Sequence, residues 1–388
     1  MKIEPRTLKG FRDFLPKEAR KRSYVLDILK KVFESYGFEP LETPALEYEE
    51  ILAGKYGQEG DKLMYRFIDN GDRKVAMRYD QTVPLARVVA QYQNELPIPF
   101  KRYQIQNVWR AENTQRGRYR EFLQVDVDAV GSYSLLTDAE IISIAIKSLE
   151  KLGFKNFKIT INDRANFVGI DPSAILTIDK LKKIGKEGVL KELKDKGLPT
   201  SSLDEILNKQ INDKLKTISD VLKDKRVIFD SSLARGLDYY TGLIFEVGVE
   251  GYDVGSIAGG GRYDDLVGMF AGRQIPAVGF AFGFDRLIEA METLNLFPSE
   301  LYTTKVLVAF ENSELQKKAL KIANELRDKK INSEVYPEDV NLEKQLKYAD
   351  KKQIPYVVII NDKGFMMKDM GKRTQEELNL EQIVEKLK

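Results

Sequence analysis

The chain has 388 residues, of which 43% are hydrophobic, so it is long enough for two or three domains with proper cores. Its 62 basic and 60 acidic residues leave a net charge of +2, which argues against a dominant polybasic surface for DNA. It contains no histidine and no cysteine, which excludes imidazole catalysis, thiolate nucleophiles, disulfides and zinc sites built from these residues. Catalysis would therefore depend on carboxylates, Arg, Lys, Tyr or Mg²⁺, which favours phosphate chemistry over hydrolytic triads.

No targeting or membrane-spanning pattern is visible in the sequence. Residues 1–5, which read M-K-I-E-P, lack the apolar segment of a secretory signal. No stretch approaches the length of about 20 apolar residues that a bilayer requires. We therefore expect a cytoplasmic protein.

The first predicted elements are a helix and a short strand. Residues 17–36 predict an amphipathic helix because their apolar residues follow helical spacing. These are Val25, Leu26, Leu29, Val32 and Phe33. Gly37 ends the helix, and residues 38–43 are predicted as a strand. Further on, residues 80–84 can be interpreted simply as a helix start, with Thr82 as the capping residue and a proline in the first turn.

Two segments with a period of two residues predict an antiparallel hairpin. In residues 102–110 and 120–130 bulky and polar side chains alternate, and a polar loop that contains glycine joins the two segments. The polar set mixes Arg, Gln, Asp and Phe, whereas strands that face solvent are usually richer in Thr, Lys and Glu. Sequence alone leaves open whether this polar face is exposed or forms part of a site.

The middle of the chain is predicted to be helical, and strands resume after it. Residues 157–217 are rich in Lys and Glu and are interpreted as an inserted helical region. Strands are predicted at residues 239–249 and 278–282, and a helix is predicted from Asp285 onward. The glycine-rich residues 255–261 stand before the second strand, and Gly259–Gly261 can be interpreted as a tight turn.

The last part of the chain is predicted to be a separate α/β domain with a parallel or mixed sheet. Three short apolar strands, residues 306–310, 333–336 and 356–360, alternate with helices at 313–329 and 342–352. The domain boundary is placed near residues 298–304.

Three arginines stand at the end of a strand or the start of a helix, namely Arg110, Arg235 and Arg286. Such positions suit a polyphosphate, since guanidinium groups pair with phosphate oxygens through two hydrogen bonds. Nucleotidyl transfer needs mainly positioning and charge neutralisation. Because the P-loop and dinucleotide-binding patterns are absent from the sequence, a nucleotide would be held by arginines and an antiparallel sheet.

Together these segments resemble the signature motifs of histidyl-tRNA synthetases. Residues 110–122 resemble motif 2, residues 233–242 and 258–264 resemble the two histidine-specific signatures, and residues 279–287 resemble motif 3. The segment 37–44 is similar to motif 1, and residues 9–16 are similar to the N-terminal segment of the family. The C-terminal unit, including Q-L-K-Y-A-D-K at 345–351, resembles the anticodon-binding domain of the family. Each motif is moderately specific, but the ordered set is very specific.

The resemblance implies an α+β catalytic domain over residues 1–303, built on an antiparallel sheet with the class II synthetase fold. A helical insertion would occupy residues 164–226, and an α/β anticodon-binding domain would follow at 304–388. The implied activity is the activation of histidine with ATP and its transfer to tRNA(His). The alternative is a non-catalytic paralogue that senses histidine or tRNA, such as a regulatory subunit of ATP phosphoribosyltransferase; such paralogues typically lose the catalytic arginines and the anticodon-binding domain.

For ATP, the resemblance implies that Arg110 binds the α-phosphate and the carboxylate of histidine. Glu112 would lie near the adenine and Phe122 would stack on it. Arg118 would contact the outer phosphates and Arg286 would bind the γ-phosphate. Arg235 would stabilise charge on the α-phosphate and contact the histidine, where other class II enzymes use a second metal. ATP would enter with Mg²⁺ as the substrate complex, and we expect no tightly bound cofactor and no zinc.

For histidine, the resemblance implies that the α-amino group is bound by Asp80 and Thr82 with Gln124, and that Gln81 of the same segment is also a histidine-binding residue. Asp128 and Tyr240 would hydrogen-bond the two imidazole nitrogens, beside Tyr239 and Tyr263. An acceptor carboxylate opposite a phenol suits an imidazole, which always offers an N–H donor. Many bacterial relatives carry Glu where Asp80 and Asp128 stand, so the geometry of the pocket could differ while its charge is kept.

The resemblance also implies macromolecular partners. Gln115 and Arg116 would reach the acceptor end of the tRNA, because they lie on the motif 2 loop. A homodimer is expected, held largely by the region of residues 37–44, because motif 1 builds the twofold interface in class II synthetases.

Overall fold

The computed structural model describes residues 3–55, 57–114, 117–234 and 239–388. The chain forms two compact units, residues 1–297 and 298–388. Within the described residues, every helix is too short or too polar to cross a bilayer. The large antiparallel sheet of the first unit and the smaller sheet of the second confirm the predicted fold class.

The first half of unit 1 alternates helices with short strands before two long strands. Its elements are α1 Pro16–Ser35, β1 Glu39–Pro40, β2 Leu46–Tyr48, α2 Glu49–Leu52, α3 Gly57–Lys62, β3 Arg66–Ile68, β4 Lys74–Met77, α4 Thr82–Gln91, β5 Phe100–Trp109, β6 Glu121–Val130 and α5 Leu135–Lys151.

The second half of unit 1 contains the helical insertion and the remaining strands. Its elements are β7 Phe157–Asp163, a 3₁₀ turn Arg164–Phe167, α6 Pro172–Ile178, α7 Leu181–Asp195, α8 Ser201–Leu207, α9 Asp213–Leu222, β8 Val227–Phe229, β9 Leu243–Val249, β10 Ala258–Arg262, α10 Gly268–Ala271, β11 Ala277–Gly283 and α11 Phe284–Thr293.

The predicted N-terminal helix is present as α1. Pro16 stands in its first turn, where its missing N–H costs nothing, and Gly37 follows its end with a φ of +76°. The apolar residues Val25, Leu29 and Phe33 are buried in the same hydrophobic cluster as α5 and the central strands. The period of the sequence therefore identified the buried face of this helix correctly.

The eight strands of the main sheet follow the order β1-β5-β6-β11-β10-β9-β7-β8. All neighbours are antiparallel except β1 with β5 and β7 with β8. The predicted hairpin is confirmed as β5 and β6, with Arg102 paired to Asp128 and Gln104 to Asp126. Its polar face is not exposed to solvent, because Arg102 and Gln104 are fully buried and Asp126 and Asp128 are each 3% exposed.

The glycine-rich segment is a strand, so its interpretation as a tight turn is wrong. Gly259, Gly260 and Gly261 belong to β10, which pairs with β11 on one side and β9 on the other. A Cβ atom on Gly260 would lie 2.1 Å from the carbonyl oxygen of Gly279 on β11. Glycine is required here because the backbones approach too closely for a side chain.

The helical insertion extends from the 3₁₀ turn at Arg164 to the end of α9 at Leu222. The expectation that the helical pattern begins at residue 157 is wrong, because Phe157–Asp163 forms strand β7 and pairs with β9. The apolar residues of this strand are buried on the sheet, where tertiary pairing overrides the composition of the segment. Gly185 interrupts α7 with a φ of +70°.

Unit 2 is built around a mixed five-stranded sheet. Its elements are β12 Val306–Phe310, a 3₁₀ turn Ser313–Leu315, α12 Gln316–Asp328, β13 Ser333–Val335, α13 Leu342–Lys352, β14 Tyr356–Asn361, β15 Gly364–Asp369, β16 Thr374–Glu377 and α14 Leu380–Leu387.

The predicted βαβα pattern of unit 2 is confirmed, and it extends further than predicted. Strands β13, β12 and β14 are parallel, whereas β15 and β16, which the sequence analysis did not identify, add antiparallel neighbours. Gln345 of α13 is fully buried, and its amide accepts from the Phe310 N–H and donates to the Phe310 carbonyl. This polar side chain therefore completes the hydrogen bonding at the end of β12.

Candidate functional site

A cavity of about 440 Å³ lies within unit 1 over strands β6, β10 and β11. Most of the residues singled out in the sequence line it. These are Asp80, Thr82, Arg110, Glu112, Arg118, Phe122, Gln124, Asp128, Tyr239, Tyr240, Tyr263 and Arg286. The residues Arg235, Gln115 and Arg116 lie outside the described residues.

The bottom of the cavity is acidic, and we refer to Asp80, Asp126 and Asp128 as the acidic floor. Asp126 and Asp128 project from the same face of β6, because side chains two residues apart on a strand share a face. Neighbouring strand β11 presents only small residues opposite them, Ala281 and Gly279. Each of the three carboxylates is less than 5% exposed.

The buried guanidinium group of Arg102 faces the carboxylates of β6. The Nη2 atom of Arg102 lies 2.9 Å from Asp128 Oδ2 and 4.0 Å from Asp126 Oδ2. Burial raises the pKa of Asp126 well above its usual range, and the nearby Asp128 and Asp80 add to this effect while Arg102 opposes it. Burial also raises the pKa of Asp128, against the opposing effects of Arg102 and the Tyr263 hydroxyl.

Tyr263, which follows β10, donates its hydroxyl hydrogen to Asp128 Oδ1. The carboxylate reaches across β11 to do so, and it can because position 279 has no side chain. A Cβ atom at Gly279 would lie 1.9 Å from Asp128 Oδ1. Two residues that are distant in the sequence are thereby joined across an intervening strand.

Two further tyrosines stand beside this pair. The ring centroids of Tyr239 and Tyr240 are 4.8 Å apart, and those of Tyr239 and Tyr263 are 5.8 Å apart in an edge-to-face arrangement. Burial raises the pKa of Tyr239 well above its usual range, with smaller effects from Tyr240 and Asp80. Neutral phenols can therefore donate or accept hydrogen bonds at this end of the cavity.

The segment before α4 provides Asp80 and Thr82. A helix does begin there, but its first N–H groups are capped by Asp80 rather than by Thr82, because Asp80 Oδ1 accepts from the backbone of Thr82 and Val83 at 3.2 Å. Gln81 does not line the cavity. Its amide instead donates to the carbonyl oxygens of Gln106 and Gln124, at 2.7 and 3.3 Å, and so links this segment to β5 and β6.

The other end of the cavity is basic, and we refer to Arg110, Arg118 and Arg286 as the basic rim. Arg110 lies over the ring of Phe122, 5.2 Å from its centroid, and donates from Nε to the carbonyl oxygen of Tyr79 at 3.1 Å. Arg286, in the first turn of α11, donates to the carbonyl oxygen of Ser256 at 3.1 Å.

Arg118 of the basic rim forms an ion pair with a further lining residue. Its Nη1 atom lies 3.3 Å from Glu112 Oε2, and the Arg118 side chain is 52% exposed. Such an exposed pair contributes little to stability, so Arg118 can exchange Glu112 for a ligand at low cost.

Two acidic lining residues were missed by the sequence analysis, Asp126 and Asp285. The alternation of β6 would have indicated Asp126, since it lies between two residues that were singled out on the same face. Asp285 Oδ1 forms ion pairs with Arg22 Nη1 at 2.6 Å and with Arg12 Nη2 at 3.0 Å. No local pattern could reveal these partners, because they lie more than 260 residues away in the chain.

The arrangement combines the acidic floor at one end of the cavity with the guanidinium groups of the basic rim at the other. A zwitterionic amino acid with a nitrogen-rich side chain fits the acidic floor and the tyrosines. An anionic polyphosphate fits the basic rim, and Phe122 offers an aromatic face for a base. This geometry can bring a carboxylate to a phosphate, which is the requirement for nucleotidyl transfer.

Comparison with known proteins gives a consistent result. The family model described as histidyl-tRNA synthetase matches residues 10–209 and 165–287, and the model described as anticodon binding domain matches residues 305–388. The histidine–tRNA ligase of Christiangramia forsetii is 38% identical over 98% of each chain. That of Aeropyrum pernix is 42% identical over 92% of this chain and 91% of its own.

The solved structures agree with the sequence comparisons. The crystal structure of histidyl-tRNA synthetase from Nostoc sp. PCC 7120 superposes with a TM-score of 0.84 at 33% identity, covering 100% of this chain and 99% of its own. The similarity extends through both compact units.

Proposed function

Because the chain belongs to the histidyl-tRNA synthetase family, we propose that it is a histidine–tRNA ligase whose active site is the cavity described above. It joins histidine to ATP to form histidyl-adenylate and pyrophosphate, and then transfers histidine to the 3′ end of tRNA(His). The observation that carries this proposal is the polarity of the cavity, with the acidic floor at one end and the basic rim at the other.

The acidic end holds the amino acid. Asp80, Thr82 and Gln124 bind the α-amino group, while Asp128 and Tyr240 take the two nitrogens of the imidazole. Tyr239 and Tyr263 form the wall of the pocket, and their contacts fix the orientation of Asp128. A site that pairs both ring nitrogens discriminates strongly against side chains of similar shape that lack them, because its buried groups would lose their partners.

The basic end holds ATP, which enters with Mg²⁺ as part of the substrate. Phe122 stacks on the adenine and Glu112 accepts from its amino group. Arg110 contacts the α-phosphate and the histidine carboxylate, which it can do because it already lies over the Phe122 ring. The exposed Arg118 and the helix-borne Arg286 bind the β- and γ-phosphates.

Activation is an in-line substitution at the α-phosphorus. A carboxylate oxygen of histidine forms the new bond to phosphorus, and the bond to the bridging oxygen breaks so that pyrophosphate leaves with the electron pair. Negative charge increases on the α-phosphate oxygens in the transition state, where Arg110 and Arg235 stabilise it. No proton needs to be moved in this step, so a chain without histidine or cysteine can catalyse it.

Transfer to tRNA involves further parts of the chain. Gln115 and Arg116 contact the acceptor end, and residues 304–388 recognise the anticodon, supported by the family match of that segment. The helical insertion at 164–226 and the catalytic domain at 1–303 complete the proposed organisation. The chain acts as a homodimer through the region of residues 37–44, in the cytoplasm; sedimentation at micromolar concentration tests the dimer.

The decisive experiment is ATP–pyrophosphate exchange with each of the twenty amino acids, followed by aminoacylation of tRNA(His). Exchange that depends on histidine, together with charging, is expected. Arg110→Ala should abolish exchange, while Arg73→Ala, a matched control at a side chain that is 60% exposed, should leave it unchanged. Histidine binding without exchange would instead indicate the regulatory alternative, which the presence of Arg110 and Arg286 in the cavity does not favour.

A further inference from the structure

Asp126 lies on the cavity but has no part in the function proposed above. Its side chain is 3% exposed, and Oδ2 accepts a hydrogen bond from the Gln124 amide at 3.1 Å. Its other oxygen, Oδ1, is buried and has no hydrogen-bond partner in the described part of the chain. A buried carboxylate oxygen without a partner is costly, so its position on a ligand cavity indicates that a ligand N–H completes it.

The neighbouring Asp128 is engaged to a greater extent. Its Oδ1 atom accepts from the Tyr263 hydroxyl. Its Oδ2 atom forms an ion pair with Arg102 at 2.9 Å, although like Asp126 Oδ1 it has no hydrogen bond in the described part of the chain. Asp126, which lies 4.0 Å from Arg102, is thus the carboxylate of β6 with more acceptor capacity to spare. Asp126 and Asp128 lie two residues apart on one face, so a ring that contacts Asp128 is within reach of Asp126.

The charge of the acidic floor bears on whether the histidine ring binds in its neutral or its protonated form. When ionised, the three carboxylates of the acidic floor carry three negative charges. Among the described residues Arg102 is the buried cation within 4.0 Å of the pair on β6, and the buried Arg78 also interacts electrostatically with Asp126. The α-ammonium group of the amino acid adds one more positive charge. Because Arg78 is shared with Glu47 and Glu42, the acidic floor remains a buried anionic site, which favours a cationic partner.

We propose that Asp126 is a further amino-acid-binding residue, whose free oxygen shares one N–H of the histidine ring with Asp128 while Tyr240 accepts the other, so that the ring is bound as the imidazolium. This inference rests on the proposed function, since it requires histidine in the cavity. It makes Asp126 a residue that determines specificity for a basic ring over a neutral ring of the same shape. The hydrogen bond is assisted by charge on both partners, which makes it stronger than one between neutral groups.

The groups that face Asp126 are consistent with this assignment. Strand β5 contributes Arg102, the segment before α4 contributes Asp80, and β6 contributes Asp128. Arg78, which follows β4, also interacts with Asp126, whereas the opposing positions of β11 are Gly279 and Ala281, which carry no charge. Burial and the two other carboxylates raise the pKa of Asp126 in the empty site. A cationic ring opposes this effect, so binding of the imidazolium and ionisation of Asp126 favour each other.

A kinetic comparison with a weakly basic analogue tests the role of Asp126. In triazolylalanine a 1,2,4-triazole replaces the imidazole, so the ring keeps its shape but stays neutral near pH 7. Wild-type protein should prefer histidine in ATP–pyrophosphate exchange, and Asp126→Asn should raise the KM for histidine about 10- to 100-fold while changing that for the analogue less than about threefold. The control Asp213→Asn, at a side chain that is 97% exposed, should leave both KM values unchanged.

Equal losses for the two amino acids in Asp126→Asn, including complete loss of both, would assign Asp126 a structural role and overturn the inference. That result would leave the proposed function intact as long as wild-type protein activates histidine. If wild-type protein activates neither amino acid, the proposed function itself is wrong.

A direct measurement on the wild-type protein does not depend on any variant. The chain contains no histidine, so the imidazole protons of bound histidine give NMR signals free of protein imidazole background when the purification tag also lacks histidine. With ¹⁵N-labelled histidine added to the full chain, the ring nitrogens should show the imidazolium shift pattern at pH 7.5, with a ring pKa at least one unit above that of free histidine. A ring that is neutral in the complex at this pH would overturn the inference.

Discussion

The closeness of Gly279 to Asp128 allows one substitution to test the construction of the site. In Gly279→Ala the new Cβ would lie 1.9 Å from Asp128 Oδ1 and 2.7 Å from the carbonyl oxygen of Val127. Real Cβ atoms essentially never approach a heavy atom to less than 3.0 Å, so the carboxylate oxygen must move by at least the difference, 1.1 Å. That movement breaks the hydrogen bond from Tyr263, and the clash with Val127 strains the pairing of β6 with β11.

The expected loss of stability combines two effects. Overpacking of a core position typically costs about 1–3 kcal/mol, and a broken buried hydrogen bond costs about 1–3 kcal/mol more. We therefore expect the free energy of unfolding to fall by about 2–6 kcal/mol. Because the imidazole-binding carboxylate is displaced, the KM for histidine should rise at least about tenfold.

The matched control is Gly248→Ala on β9 of the same sheet, where a Cβ atom would meet nothing within 4 Å. This substitution should be neutral, or it should stabilise the fold by about 0.4–1 kcal/mol because alanine lowers the conformational entropy of the unfolded chain. Thermal unfolding and ATP–pyrophosphate exchange measure the two properties for both variants. If the melting temperature of Gly279→Ala lies within 1 °C of wild type and its KM for histidine is unchanged, the missing side chain at position 279 is not what allows Asp128 to reach Tyr263.

Three further predictions concern Arg235, the C-terminal segment and Asp126. Arg235→Ala should lower kcat in pyrophosphate exchange far more than it raises KM, since its charge acts mainly in the transition state; near wild-type exchange would remove it from the mechanism. Deletion of residues 304–388 should spare histidine activation but abolish charging of tRNA, and an equal loss of both activities would assign that segment to folding. Asp126→Asn should raise the melting temperature more at pH 8 than at pH 5, and a gain independent of pH would contradict the reasoning.

The sign of the last prediction follows from proton linkage. Burial raises the pKa of Asp126 in the folded chain above its value in the unfolded chain. The folded state therefore binds its proton more tightly, and this carboxyl group lowers stability as the pH rises through the range between the two values. Each unit of pKa difference between the folded and the unfolded chain corresponds to about 1.4 kcal/mol of stability lost at high pH. The Asp126→Asn variant avoids this loss because its side chain cannot ionise. The same carboxylate would thus bind the substrate at a cost in stability.

The organisation of the chain was largely predictable because its signals are local. A period of two residues identified the hairpin of β5 and β6, and helical spacing identified the buried face of α1. The alternation of strands and helices likewise identified the second unit. The ordered motifs indicated the family and most of the residues that line the cavity, because such motifs record residue types at fixed positions.

Tertiary structure alone decided which polar groups are buried and what they face. Periodicity shows that Arg102 and Asp128 share a side of the hairpin, but burial of that side depends on segments far away in the sequence. The hydrogen bond from Tyr263 to Asp128 spans 135 residues and passes over Gly279, so no local pattern could predict it. The free oxygen of Asp126 is a property of this packing, because satisfaction of a hydrogen bond is decided by which distant atoms come within reach.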